Sequence, residues 1–218
     1  MPGIWKKLTK IKDYKLIGRT TASSKFSEGK FSKQDYYRIN KAVRLTILQN
    51  QLDSLPIDLH KIILNNKWNI YSFSEARNML NSIKVDLTKN NYGFTLRIGR
   101  RMFIFYDENV SIPLQRFTIA HEIGHIVLKH FYINDHNNDE KEANMFAARL
   151  LMPMCVLYEC NINNASQIQE ICEVSEMAAY YRYKRLKLVE ERKKFYTDKL
   201  ELEVYKLFKK YIDQYNHK

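Results

Sequence analysis

One segment of the chain has side chains that can act together only if the backbone is helical. Residues 117–128 read Phe-Thr-Ile-Ala-His-Glu-Ile-Gly-His-Ile-Val-Leu, which places His121 and His125 four positions apart. Residues four apart on an α-helix share a face, so both imidazoles can reach one metal ion. Pro113 fits a first helical turn and no later proline interrupts the apolar run, so we expect a buried helix over roughly 113–130.

Glu122 follows the first of these histidines and lies one position round the helix from it. Its carboxylate can therefore contact a water molecule on the metal, but it is not placed as an in-line third ligand. Zinc lowers the pKa of bound water, and a neighbouring carboxylate can accept the proton as hydroxide attacks a carbonyl. The pattern predicts a hydrolytic site with one catalytic Zn²⁺, His121 and His125 as ligands and Glu122 as the base.

The third ligand is not a histidine at the position where a three-histidine zinc motif would place it. That arrangement needs a glycine three residues after His125 and a histidine three residues further on, where this chain has Leu128 and Phe131. His130 is one residue out of register, and we interpret it as a surface or rim residue. A carboxylate from a later helix is the alternative, completing a site with two imidazoles, one glutamate and an open position for water. Such a donor set suits zinc better than manganese or iron.

Two glutamates compete for this third position. A helix expected over roughly 139–151 offers Glu140 and Glu142 at its start. Small and apolar residues follow Glu142, which indicates a helix face against the core, whereas Glu140 suits a first turn where the helix dipole favours a carboxylate. We favour Glu142, and the possibility that both are ordinary helix-start carboxylates stays open.

Two blocks of sequence carry a resemblance to a known family. The first is Arg116-Phe117-Thr118-Ile119-Ala120-His121-Glu122-Ile123-Gly124-His125, and the second runs from Glu140-Lys141-Glu142-Ala143-Asn144 through Phe146-Ala147 to Leu150-Leu151-Met152-Pro153. Together they resemble the ImmA/IrrE metallo-endopeptidases, over residues 55–186. The resemblance implies an α+β fold, a mostly helical, gluzincin-like domain with a short sheet against two ligand-bearing helices. It also implies His121, His125 and Glu142 as zinc ligands and Glu122 as the catalytic base.

The same resemblance implies a function. Family members act inside bacteria and relieve repression by cutting a helix-turn-helix repressor. We therefore expect a cytoplasmic zinc endopeptidase whose protein substrate is such a repressor, with derepression of a mobile element or stress regulon as the result. The alternative is a regulatory binding module, which would antagonise the repressor without cutting it and would hold only a structural metal.

Charge and composition bound the remaining possibilities. The net charge is +12; residues 1–44 hold 12 basic and 3 acidic residues, and residues 181–218 hold 12 and 6. Basic termini can contact nucleic acid, although we favour solvated faces. No apolar run is long enough to span a membrane and the start has no signal-peptide pattern, so we expect no membrane partner. The oligomeric state does not follow from the sequence.

We divide the chain into three regions. Residues 1–54 are expected to be a basic N-terminal extension, loose up to about residue 30 and partly helical after it. Residues 55–186 are the expected peptidase domain, and residues 187–218 are an expected basic amphipathic C-terminal helix. Two helices near Glu173 form either a helix-turn-helix or ordinary core packing, which we favour.

Shorter signals predict the remaining elements. The expectations are a helix from Phe31 to about Leu48, a second opened by Pro56 with Ser54 as its cap, a strand over 68–73, a helical turn capped by Ser74, a hairpin of 94–98 with 102–106, and a helix from Ser175 to about Tyr211. The spacing of Cys155, Cys160 and Cys172 matches no common zinc pattern, so we expect reduced, buried thiols.

Overall fold

The computed structural model describes residues 15–21, 31–82, 91–131, 136–192 and 198–217. Within these ranges the chain is mostly helical with one small sheet, so the α+β expectation is confirmed. The elements are β1 Lys15–Thr21, α1 Lys33–Gln49, α2 Leu59–Asn65, β2 Asn69–Ser72, α3 Phe73–Ser82, β3 Asn91–Ile98, β4 Arg101–Tyr106, α4 Ile112–Val127, α5 His136–Leu151, α6 Met154–Glu159, α7 Ala165–Cys172, α8 Glu176–Glu191 and α9 Lys199–Asn216.

The sheet has the strand order β1-β3-β4-β2. Strands β3 and β4 form the expected hairpin, with Phe94 opposite Phe105, and the turn uses Gly99 at a φ of +60°. Strand β2 pairs in parallel with β4, and β1 pairs antiparallel with β3. The expectation that residues 1–30 are loose is therefore wrong for Lys15–Thr21, because this segment pairs with residues 70 to 82 positions later in the chain.

Two helices begin at residues other than those expected. Helix α2 is capped by Asp58, whose side chain accepts from the Lys61 amide, so neither Ser54 nor Pro56 lies in its first turn. Helix α3 is preceded by Ser72: its hydroxyl accepts from the Glu75 amide, and the Glu75 carboxylate accepts from the Ser72 amide. This reciprocal pair satisfies two backbone donors, which explains why the helix starts before Ser74.

Helices α4 and α5 pack closely against each other at Gly124. A Cβ atom at this position would lie 3.1 Å from Phe146 Cδ1 and 3.3 Å from Ala143 Cα. Glycine therefore allows the two helices to approach, and their facing surfaces carry the residues that the sequence singled out. Helix α4 also lies against strand β3, where Thr118 contacts Gly93.

The C-terminal region consists of two helices instead of the single one expected from Ser175 to about Tyr211. Helix α8 ends at Glu191, residues 193–197 lie outside the described residues, and α9 begins after Asp198, whose side chain accepts from the Leu200 amide. The apolar side of α9 is buried in the main core through Val204, Phe208 and Ile212.

Helices α7 and α8 also belong to this core: α7 contributes Ile168 and Cys172, and α8 contributes Ala179 and Leu186. Ordinary core packing, which we favoured for these two helices, therefore accounts for the residues they bury. No helix in the described ranges has both the length and the apolar character needed to cross a membrane.

Candidate metal centre

His121 and His125 project from one face of α4 into the interior. Both are 0% exposed, and their Nε2 atoms lie 2.9 Å apart. Glu140, near the start of α5, brings its carboxylate oxygens to 3.2 Å from His121 Nε2 and 3.3 Å from His125 Nε2. Two imidazole nitrogens and one carboxylate oxygen are a donor set that zinc takes in hydrolytic sites. The three side chains thus converge as one group able to hold a metal ion.

Glu142, which the sequence favoured as the third ligand, does not reach the histidine pair. Glu140 and Asn144 are four positions apart and share a face of α5, and Asn144 Oδ1 lies 2.8 Å from His121 Nδ1. Glu142 is two positions from each of them and so points to another side of the helix. In the structure Glu140, and not the Glu142 favoured from the sequence, lies beside the two histidines, so Glu140 is the better candidate for the third ligand.

Asn144 also determines which nitrogen of His121 faces the metal position. An amide oxygen can only accept a hydrogen bond, so His121 carries its proton on Nδ1 when it donates to Asn144 Oδ1. The lone pair is then on Nε2, the atom directed toward His125 and Glu140. Hydrogen bonds of this kind fix the ring orientation of metal-bound histidines. The arrangement therefore fits a bound metal.

Electrostatics in the group favour a cation. Burial lowers the pKa of His125 to about 4, so this imidazole is neutral near pH 7. Burial opposes ionisation of Glu140, but the adjacent imidazoles of His121 and His125 outweigh that effect and hold its pKa well below the ordinary value. Burial likewise opposes a charge on His121, yet the hydrogen bond to Glu140 and the nearby charge of Glu122 raise its pKa overall. A divalent ion would replace the proton that these acidic neighbours attract.

Glu122 is 0% exposed, and a residue of the sheet holds its carboxylate in place. Thr95, in the middle of β3, donates its hydroxyl to Glu122 Oε2 over 2.8 Å. No local pattern in the sequence pointed to Thr95, because the contact depends on how β3 lies against α4. The hydroxyl fixes the orientation of the residue expected to act as the base.

His130 is 6% exposed, so its interpretation as a surface or rim residue is wrong. Its Nδ1 lies 2.9 Å from His125 Nδ1, and its Nε2 lies 3.0 Å from Glu142 Oε2. Glu142 also pairs with Arg38 of α1. A second group of side chains therefore lies directly behind His125.

The three cysteines are free and buried, as expected. Burial raises the pKa of the Cys155, Cys160 and Cys172 thiols to about 12, so all three remain protonated near neutral pH. None belongs to a group that could hold a metal ion among the described residues.

Comparison with protein-family models identifies part of the chain. Residues 81–184 match the family model described as the IrrE N-terminal-like domain. This range includes both sequence blocks, the β3–β4 hairpin and the helices α4 and α5. No curated protein matches the chain significantly.

Proposed function

Residues 81–184 form a domain of the ImmA/IrrE family of metallopeptidases, and from this premise we propose that the protein is a zinc-dependent endopeptidase. The observation that carries the proposal is the convergence of His121, His125 and Glu140 beside the buried Glu122. The substrate implied by the family resemblance is a helix-turn-helix transcriptional repressor. Its cleavage would derepress a mobile element or a stress regulon.

Each residue of the site has a chemical role in this proposal. His121, His125 and Glu140 would hold zinc, and Asn144 would keep the His121 ring in place. A zinc ion held there would supply Lewis-acid chemistry, polarising the scissile carbonyl and lowering the pKa of a water molecule. Glu122 then accepts a proton from the attacking water and delivers it to the amine nitrogen as the carbon–nitrogen bond breaks.

The exposed fractions of the three candidate ligands indicate the side from which a substrate can reach the site. The side chains of His121 and His125 are 0% exposed, whereas the side chain of Glu140 is 35% exposed. Solvent and substrate therefore approach past Glu140, while the interior side is closed by Thr95 and the sheet.

Cleavage of the repressor encoded nearest to this gene tests the proposal. The purified protein with one equivalent of zinc is mixed with about a hundredfold excess of repressor. The wild type should yield discrete fragments whose masses give the cut site. Glu122→Gln should lose about 10²–10⁴-fold in rate, the usual contribution of a general base, while retaining its zinc. Glu140→Gln should lose stoichiometric zinc because a neutral amide is a poor ligand.

Two results would contradict the proposal. Intact repressor that leaves its DNA only near equimolar protein would establish the binding antagonist with a structural metal. Glu140→Gln that retains wild-type zinc affinity would contradict the ligand assignment. If this repressor stayed intact and bound to its DNA while another bacterial repressor was cut, the protein would be a peptidase with a different substrate.

A further inference from the structure

A continuous chain of hydrogen bonds leads from His125 to the surface of helix α1. His125 Nδ1 lies 2.9 Å from His130 Nδ1, and His130 Nε2 lies 3.0 Å from Glu142 Oε2. The other oxygen of Glu142 accepts from Arg38. His130 and Glu142 are 6% and 8% exposed, so this chain is shielded from water until it reaches Arg38, whose side chain is 44% exposed.

The chemistry of these groups gives every bond in the chain a direction. A guanidinium can only donate, and the carboxylate paired with it accepts, so His130 donates its Nε2 proton to Glu142. His130 then offers the lone pair on Nδ1, and His125 must donate from its own Nδ1. The lone pair of His125 is consequently on Nε2, which faces His121 and Glu140. The direction of the chain matches the direction that Asn144 imposes on His121.

A second metal ion is the competing explanation, because His130, Asp139 and Glu142 also form a group of possible ligands. Two observations argue against it. The guanidinium of Arg38 already neutralises Glu142 and would repel a cation. Both nitrogens of His130 have partners, and its Nε2 is closer to Glu142, at 3.0 Å, than to Asp139, at 3.8 Å.

We propose that His130, Glu142 and Arg38 are positioning residues that hold His125 with Nε2 toward the metal. Helix α1 is then a functional part of the metal site, although it lies outside the segment that matches the family. The inference rests on the proposed function, since it requires His125 to be a metal ligand. Outer-shell partners of metal-bound histidines typically change metal affinity by about 10–100-fold when they are replaced.

The test measures metal binding and needs no substrate. Zinc dissociation constants are determined by competition with a chromophoric chelator for the wild type, Arg38→Met, Glu142→Gln and His130→Leu. Cobalt(II) replaces zinc in a parallel series, because its visible absorption reports the geometry of the ligands. Arg38→Met is the most informative variant, since its exposed side chain can be replaced without opening the core.

Arg149→Met is the matched control. Arg149 pairs with Asn40 and lies over the Tyr36 ring, so it also ties α1 to α5 but does not belong to the chain behind His125. We expect about 10–100-fold weaker zinc binding and an altered cobalt spectrum in the three positioning variants. Arg149→Met should keep the wild-type spectrum and zinc affinity within about threefold.

Each contrary outcome has a distinct meaning. Unchanged zinc affinity and spectrum in Arg38→Met and Glu142→Gln would overturn the inference while leaving the peptidase proposal intact. If Arg38→Met and Arg149→Met had equal effects, Arg38 would serve only to dock α1 against α5, and the inference would also be overturned. Two zinc equivalents in the wild type, with one lost in Glu142→Gln, would establish a second metal site instead. A wild type that binds no zinc would overturn the proposed function and this inference with it.

Discussion

The carboxylate of Glu122 is buried, and the hydroxyl of Thr95 reaches it from strand β3. Thr95→Val keeps the shape of the side chain but removes this donor. A hydrogen bond to a charged group contributes about 1.5–3 kcal/mol, which corresponds to about 10–100-fold in rate if the bond orients the base in the transition state. We therefore expect the turnover of Thr95→Val to fall by that factor while one zinc stays bound.

A threonine outside the site provides the control for this substitution. Thr46 is also buried, but its hydroxyl donates only to the Ala42 carbonyl within α1. Thr46→Val should retain wild-type turnover with the same substrate. Equal turnover in Thr95→Val and the wild type would show that Glu122 needs no support from the sheet.

The site residues differ in how far the sequence could predict them. His121, Glu122 and His125 follow from spacing within one helix, and Asn144 is a similar local signal because it lies four positions after Glu140. Because Asn144 faces His121, the residue four positions before it shares that face, which selects Glu140 over Glu142. Thr95 and Arg38 could not be predicted, since their contacts depend on the packing of distant elements.

At the scale of elements, strand β3 fits under helix α4 because Gly93 has no side chain. A Cβ atom there would overlap the Thr118 methyl group and lie 2.7 Å from the Phe105 carbonyl oxygen. The backbone must move to relieve such overlap, so Gly93→Ala should lower the free energy of unfolding by about 1–3 kcal/mol. Urea denaturation followed by circular dichroism measures this change.

Gly99 provides a contrasting position in the same hairpin. It has a φ of +60° with open space around it, and asparagine tolerates that conformation. Gly99→Asn should therefore change the free energy of unfolding by less than about 0.5–1 kcal/mol. A Gly93→Ala protein as stable as the wild type would mean that α4 and β3 can separate without cost.

The elements also show where sequence patterns stop being informative. The hairpin of β3 and β4 has alternation and a glycine turn within a few residues, and it was predicted correctly. Strand β1 has no such local signal. It forms by pairing with a distant strand, and residues near it in the sequence do not reveal that partner. The break between α8 and α9 was missed because the apolar spacing continues on both sides of it, whereas the cap at Asp198 depends on a single side chain.

At the scale of the whole molecule, the C-terminal helix is less basic than the region that contains it. Residues 198–217 hold four lysines and four carboxylates, so the positive excess of residues 181–218 lies mainly before Asp198. The carboxylates of Asp198 and Glu201 both pair with Arg44 of α1, at 2.8 and 2.9 Å. The charges of α9 thus serve in part to dock it, which weakens the interpretation of this helix as a nucleic-acid arm.

The apolar side of α9 leads to a prediction for the stability of the whole chain. Phe208 is 0% exposed and shares the main core with Ile123 of α4 and Phe146 of α5. Replacing a buried phenylalanine by alanine removes its contacts and leaves a cavity, which usually costs about 3–5 kcal/mol. Phe208→Ala should therefore destabilise the protein by about that amount, in one cooperative transition that includes α4 and α5, the helices with the proposed zinc ligands.

Lys209→Ala is the matched control, because Lys209 is the exposed neighbour of Phe208 and pairs with Asp213 and with the Tyr205 ring. It should leave the free energy of unfolding close to the wild-type value, as expected for an exposed ion pair. Thermal unfolding followed by circular dichroism, with zinc release recorded in parallel, compares the two variants. If Phe208→Ala melted only a small helical fraction early and released its zinc at the wild-type temperature, α9 would be an independent arm, and its burial would not support the metal site.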